Sequence, residues 1–182
     1  MQRKITTAVS PAQRRRLYLV PDRRTALLPH VPASRTLHLV DIENLAGGSD
    51  APLNSLPAVV QAYREAAPVN PGDHVLVAAG SRLAYAVGIA WPGTQLVVGR
   101  GVDGADRALL AHLPDVTWIA THFDRVVLGS GDGIFTETLA AIRAHGIATV
   151  MIAHPRSFSW VLQQHATSVR VLPFAISSER SA

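Results

Sequence analysis

Leu37-His38-Leu39-Val40-Asp41-Ile42-Glu43-Asn44 is the stretch on which the reading of the fold turns. Its first half is mostly apolar and runs straight into a carboxylate, and a carboxamide follows at Asn44. A short strand buried in a parallel sheet reads this way, ending where its side chains meet solvent. In open α/β sheets the ligand crevice lies outside the carboxyl ends of the strands. Asp41 is therefore a site candidate by position, although an Asp there also serves to cap the turn that follows. Further acids in equivalent positions decide between the two readings.

Downstream of Thr36, apolar strand-like runs alternate with helix-like segments. Strands are expected at Leu37–Val40, Val75–Ala79, Gln95–Gly99, Arg125–Leu128, Ala148–Ala153 and Val169–Leu172. Helices are expected around Leu56–Ala67, Arg82–Ala90, Asp103–His112, Thr136–Ala144 and Phe158–His165. This alternation predicts a three-layer α/β/α domain with a mostly parallel central sheet. Right-handed crossovers then bring every strand's carboxyl end to one edge.

Three segments put carboxylates at that edge. The first holds Asp41, with Asn44 behind it. In the second, Gly99-Arg100-Gly101-Val102-Asp103-Gly104-Ala105-Asp106, a strand ends, glycines turn the chain and a helix begins. Asp103 and Asp106 are three apart and share one helical face, where capping and the helix dipole also favour acids. In the third, Val126-Val127-Leu128-Gly129-Ser130-Gly131-Asp132-Gly133, an apolar strand closes on an Asp flanked by glycines, which let a ligand approach the backbone. Four acids from three strand ends repel one another unless a cation joins them. Hard ions such as Mg²⁺ or Mn²⁺ take such oxygens and keep positions open for water and phosphate, the arrangement that activates water for in-line displacement at phosphorus.

Other chemistries find less support. No Gly-x-Gly-x-x-Gly follows the first strand and no Gly-Lys-Ser/Thr is present, against a nucleotide-cofactor site. His112, His122, His154 and His165 have no metal-ligand spacing. Gly129-Ser130-Gly131 lacks the spacing of a nucleophile elbow. Trp91, Trp118 and Trp160 are spread along the chain and are expected to fill the core.

With 182 residues, 48% of them apolar, one domain with flanking segments is expected: an irregular arm over 1–35, a domain over 36–176 and a disordered tail over 177–182. No run reaches the roughly 18 uncharged apolar residues of a membrane span. The first residues lack the apolar core of a secretory signal and cysteine is absent, so a cytoplasmic location is expected. Charge is unevenly placed. Residues 1–36 carry eight Lys/Arg against Asp22 alone, leaving nine Arg against twelve acids in the remainder. Prolines break the arm, Arg15–Val20 excepted as a short strand or helical turn, and a basic arm on an acidic domain suits a polyanion.

These residues resemble a known family. Asp41-Ile42-Glu43-Asn44-Leu45 is similar to the opening Asp-x-x-Asn motif of NYN domains, the PIN-like ribonuclease group. Gly101-Val102-Asp103-Gly104-Ala105-Asp106 resembles the family's middle Gly-Val/Ala-Asp helix start, and Ser130-Gly131-Asp132-Gly133-Ile134-Phe135 its Ser-Gly-Asp-Gly-Asp-Phe signature. The stretch from Ala153 to Leu172 is similar too, so the resemblance covers roughly residues 36–174.

The resemblance implies a metal-dependent endoribonuclease with Asp41, Asp103, Asp106 and Asp132 as catalytic and metal-binding acids, and Mg²⁺ or Mn²⁺ as the ion. Asn44 would orient a carboxylate or water, and Ser130 would support the Asp132 loop. The signature's second acid falls at Ile134 here, with Glu137 on the same helical face as a substitute or a single ion as the result. RNA is the expected partner, gripped by the arm through Arg14, Arg15, Arg16, Arg23 and Arg24; no membrane is expected, and a homodimer stays open. The alternatives are a catalytically weak nucleic-acid-binding or regulatory module, which Ile134 favours, and a metal-dependent phosphatase or nuclease acting on DNA.

Overall fold

The computed structural model describes residues 34–172. The expected arm with its five arginines, the strand or turn at Arg15–Val20 and the tail lie outside the described residues. Six strands alternate with seven helices: β1 Thr36–Asp41, α1 Ile42–Ala46, α2 Leu56–Ala66, β2 His74–Gly80, α3 Ser81–Ala90, β3 Gln95–Gly99, α4 Gly104–Ala111, α5 Val116–His122, β4 Arg125–Gly129, α6 Thr136–Ala144, β5 Ala148–Ala153, α7 Trp160–Gln163 and β6 Ser168–Val171. They form one six-stranded sheet in the order β3-β2-β1-β4-β5-β6, and every pairing is parallel.

The order follows from how the chain winds. It steps outward from β1 to β2 and β3, returns over the sheet through α4 and α5, then steps the other way from β4 to β6. The sheet therefore reverses direction between β1 and β4, and a crevice opens at the carboxyl ends flanking such a reversal. Side chains alternate across the sheet. In β1, Val40 joins Leu45, Val59, Tyr63 and Val77 in the core under α1–α3. Leu37 and Leu39 join Leu76, Leu109, Ile119 and Leu128 under α4–α7. Both faces are thus covered, as the apolar runs required. Asp41 continues the alternation of Leu37 and Leu39 and ends on the α4 side.

At the amino edge the sheet is anchored by acids. Asp73 Oδ1 accepts from Thr36 N at 2.8 Å, and Asp124 Oδ2 from Arg35 N at 3.1 Å. Inside β1, buried His38 contacts the Tyr63 hydroxyl at 2.9 Å through Nδ1 and lies 3.6 Å from Asp73 through Nε2.

The expected elements occur, with four differences. The five-residue α1 begins directly after Asp41, and α5 occupies a segment expected to be a connection. The helix expected over Phe158–His165 shrinks to Trp160–Gln163, because Ser159, itself extended, caps it through Leu162 N. Of the tryptophans only Trp91 is in the core; Trp118 and Trp160 are exposed, contrary to expectation, and Trp118 instead stacks on His122 at 4.0 Å.

Candidate active site

Asp41 is both a helix cap and a buried acid. Its Oδ1 accepts from Glu43 N at 3.1 Å and Asn44 N at 3.2 Å, which starts α1 and fixes the carboxylate's direction. Its Oδ2 accepts from the Ser130 hydroxyl at 3.4 Å. The register explains that neighbour: Val40 pairs with Gly129, so the next residue of each strand, Asp41 and Ser130, stand side by side.

Asp106 comes from much farther along the sheet. It belongs to the first turn of α4, which packs on β3, β2 and β1 in turn. The helix lies this close because Gly99 has no side chain. A Cβ there would overlap the Gly104 carbonyl and the Ala105 nitrogen. Asp41 and Asp106 are 3% and 8% exposed. Burial first, then side-chain hydrogen bonding with Asp106 and the charge of Asp106, push Asp41 well above the usual carboxylate range. Asp106 is raised as well, by burial first, with Asp132 and Asp103 adding like charge while the bond to Asp41 works the other way. Asp106 Oδ1 is buried without a hydrogen-bond partner.

Asp132 is exposed, and its Oδ1 accepts from Ile134 N at 2.9 Å, capping the 3₁₀ turn Gly133–Phe135. Ser130 steadies this loop as well as Asp41, since its Oγ also accepts from Asp132 N at 3.1 Å. Asn44 Oδ1 accepts from Gly131 N and from the Ser157 hydroxyl, each at 2.8 Å. Asp103 is exposed and makes no capping bond, only a 3.9 Å ion pair with Arg107. Its φ of 51° is positive, and it is the one non-glycine residue so placed among the described residues. Such conformations cost energy and collect at functional sites.

The charges of Asp103 and Asp132 therefore act on Asp106 from the solvent side of the buried pair. Glu137 does not join them; it lines a cavity between α4, α5 and α6 with Leu110, Leu113 and Ile119. Two participants escaped sequence reasoning. Glu43 accepts from Gly80 N at 3.1 Å at the end of β2, and its charge further raises Asp41. Ser157 clamps Asn44 from a loop that carried no motif. An acid two residues past Asp41 was a usable signal for Glu43; nothing local marked Ser157.

The donor chemistry suits a hard divalent cation: carboxylate oxygens only, charges that repel, and a buried oxygen left unpartnered. As arranged, no three Asp, Glu or His side chains among the described residues stand close enough to hold one.

A parallel sheet that reverses its strand order, with Asp41 and Asp106 at its carboxyl edge, suits a PIN-like nuclease fold. The NYN domain model matches residues 38–173, well over half the chain, and the protein belongs to the NYN family. That family consists generally of nucleases, typically using divalent metals. In structure the chain is similar to a protein of unknown function from Vibrio parahaemolyticus RIMD 2210633, with a TM-score of 0.53 and 18% identity over 76% of this chain and 93% of that one. At that identity the likeness concerns the fold. No curated protein matches the chain. No helix among the described residues is long and apolar enough to cross a membrane.

Proposed function

We propose that the protein is a metal-dependent endoribonuclease hydrolysing RNA phosphodiesters in the crevice beside Asp41. The observation that carries this reading is the buried, mutually repelling pair of Asp41 and Asp106 with its unpartnered oxygen. Asp41, Asp106, Asp132 and Asp103 would hold Mg²⁺ or Mn²⁺, drawn closer together than they stand here. A bound divalent ion supplies Lewis acidity toward a phosphate oxygen and lowers the pKa of water.

The chain's own residues do the rest. The α1 backbone fixes the direction of Asp41, and burial beside Asp106 raises the carboxyls of both. Asn44, Ser130 and Ser157 hold the 130–132 loop, so Asp132 meets substrate from a fixed position. The arginines of the arm, Arg14, Arg15, Arg16, Arg23 and Arg24, would grip the phosphate backbone outside the crevice.

End-labelled RNA incubated with Mg²⁺, with Mn²⁺ and with EDTA tests the reading. Internal cleavage is expected with either ion, none with EDTA, and a loss of at least about a hundredfold in Asp106→Asn. Equal cleavage by wild type and Asp106→Asn would remove the proposal. The rival reading, a binding module without catalysis, has one observation in its favour: Ile134 stands where the resemblance places a further acid. Binding without cleavage in either ion selects it, and cleavage of DNA at equal rate selects a nuclease indifferent to the sugar.

A further inference from the structure

We infer that Phe158 and Trp160 form a base-stacking platform beside the acid crevice, which makes unpaired RNA the substrate; this rests on the ribonuclease reading above. Residues 157–160 run out of the loop after β5, at the same sheet edge as the acids, and alternate strictly. Ser157 turns inward to Asn44 Oδ1, and Ser159 inward to cap α7 through Leu162 N. Phe158 and Trp160 are exposed, Trp160 by 68%. Phe158 stands just before the capping Ser159 and Trp160 opens α7, so both aromatics reach solvent within one short stretch at this edge.

The segment cannot swing freely. Ser159 N donates to Gly131 O at 2.8 Å, and the Ser157 carbonyl packs where a Cβ of Gly131 would lie. The same loop that carries Asp132 thus positions the aromatics. Helix α7 also packs against the turn Gly133–Phe135, which carries half-exposed Ile134. Arg156, exposed at the start of the segment, adds a cation for the backbone between stacked bases.

Phe158, Trp160 and Val161 are exposed within four positions of chain, and apolar side chains gathered in this way mark a contact site. Continuity with a phosphodiester-cleaving crevice, pinned aromatics and a flanking arginine together fit a nucleobase. Bases within a duplex are already stacked on their neighbours and present no free face, so the platform discriminates strand state rather than sequence. Ile134 gains a role on this reading: its apolar side chain borders the platform where an acid would repel the backbone.

Binding is read in EDTA, where no cleavage occurs, with a short fluorescent oligoribonucleotide, alone or annealed to its complement. Single-stranded affinity should fall about tenfold in Trp160→Ala and less in Phe158→Ala, return in Trp160→Phe, and stay unchanged in Tyr85→Ala, an exposed aromatic on α3. Duplex affinity should not change, and quenching of tryptophan fluorescence by the single strand should vanish with Trp160. Unchanged single-strand affinity in Trp160→Ala overturns the platform, as does an equal loss on duplex. Self-association of the wild type that disappears in Trp160→Ala also overturns it, in favour of a contact between copies. The two readings separate cleanly. Cleavage with undiminished Trp160→Ala binding refutes the platform alone, while stacking without metal-dependent cleavage refutes the nuclease alone.

Discussion

Asn44 reaches Gly131 across 87 positions of chain and accepts its backbone N–H at 2.8 Å. The bond ties the first turn after β1 to the loop after β4, the two strands between which the sheet reverses. One carboxamide oxygen also takes the Ser157 hydroxyl, so three segments meet at a single acceptor. Asn44 is therefore a positioning residue, and the opening Asp-x-x-Asn motif has a physical basis: the Asp supplies charge and the Asn aligns the next acid-bearing loop.

Removing that acceptor tests the argument. Asn44→Ala leaves a partly buried N–H and hydroxyl without their partner, at a cost of about 1–3 kcal/mol. Urea denaturation should show that loss, and cleavage should fall further than stability explains, because Asp132 loses its alignment. Asn44→Asp keeps an acceptor but adds a charge near Asp41; it should recover most of the stability and little of the activity. Full activity in Asn44→Ala would show the loop is aligned by other bonds.

Asp41 has a pH signature whose sign is fixed. Its folded value lies well above 3.8, so over the interval between, the native state holds a proton that the unfolded chain has released. That contribution is fully present below the unfolded value and is lost as pH rises through the folded one. In EDTA, Asp41→Asn keeps the capping acceptor and removes the charge. The variant should melt higher than wild type at neutral pH, and the gap should close toward acid. Adding Mn²⁺ should reverse the order, since mass action stabilises the protein that binds it. A variant that melts lower at every pH would make Asp41 a structural carboxylate.

His38 has the opposite sign. Burial holds it below 6.5, against the pull of Asp73, and Arg125 lowers it further. Its Nε2 is buried without a hydrogen-bond partner. The unfolded chain takes up the proton first as pH falls, so stability present above 6.5 is lost as pH drops below it. His38→Gln retains a polar group for the Tyr63 hydroxyl and cannot titrate. Melting temperatures between about pH 5 and 8 should fall less steeply toward acid for this variant than for wild type. Parallel curves would show that His38 titrates alike in the folded and the unfolded chain, and a wild type less sensitive to acid than the variant would show that Asp73 outweighs burial.

The arm is tested by its salt dependence. If Arg14, Arg15, Arg16, Arg23 and Arg24 neutralise phosphates, deleting residues 1–33 weakens RNA affinity. On a single strand it also reduces the slope of log affinity against log salt, by roughly 0.7 for each phosphate left without its arginine. Turnover of bound substrate should persist, because Asp41, Asp103, Asp106 and Asp132 all lie outside the arm. An unchanged slope removes the arm from RNA binding.

Much of the fold was legible in the residues because a parallel sheet buried on both faces writes itself as short apolar runs. Gln95–Gly99, Thr136–Ala144 and Ala148–Ala153 fall where the pattern put them. Helix α1 is too short to show a period, and α5, Val-Thr-Trp-Ile-Ala-Thr-His, is rich in residues that favour strands; Asp115 starts it by accepting from Thr117 N at 2.8 Å and Trp118 N at 3.4 Å. At the site, spacing exposed the strand-end acids but not their unequal burial. Asp103 and Asp106 share a helical face on paper, yet α4 begins only at Gly104, so Asp103 stands ahead of it in the left-handed conformation, while the close approach of Gly99 to Gly104 brings Asp106 against the sheet. Such an approach is nonlocal, as are the bonds of Ser157. Trp160 departs from expectation too: composition assigns tryptophan to cores, yet it opens the short helix α7 on its exposed side while Leu162 takes the buried one.

Ile134 tests how many charges the crevice accepts. It is 38% exposed, and its backbone N–H already fixes Asp132. Ile134→Asp leaves that backbone bond in place and brings another carboxylate to the turn carrying Asp132. Without metal the added repulsion should lower the melting temperature, whereas Ile134→Asn, similar in shape and uncharged, should lower it less. With Mn²⁺ the order should invert: the extra oxygen tightens binding, and stabilisation grows as the logarithm of ligand over dissociation constant, about 1.4 kcal/mol for each tenfold gain in affinity. Cleavage in Mg²⁺, which demands stricter geometry than Mn²⁺, should rise in the same variant. Combining Ile134→Asp with Asp132→Asn should abolish both gains, because the new carboxylate then faces the ion without its neighbour. Equal metal stabilisation of wild type, Ile134→Asp and Ile134→Asn would place Ile134 outside the ion's reach and leave it to the apolar surface of Phe158 and Trp160 alone.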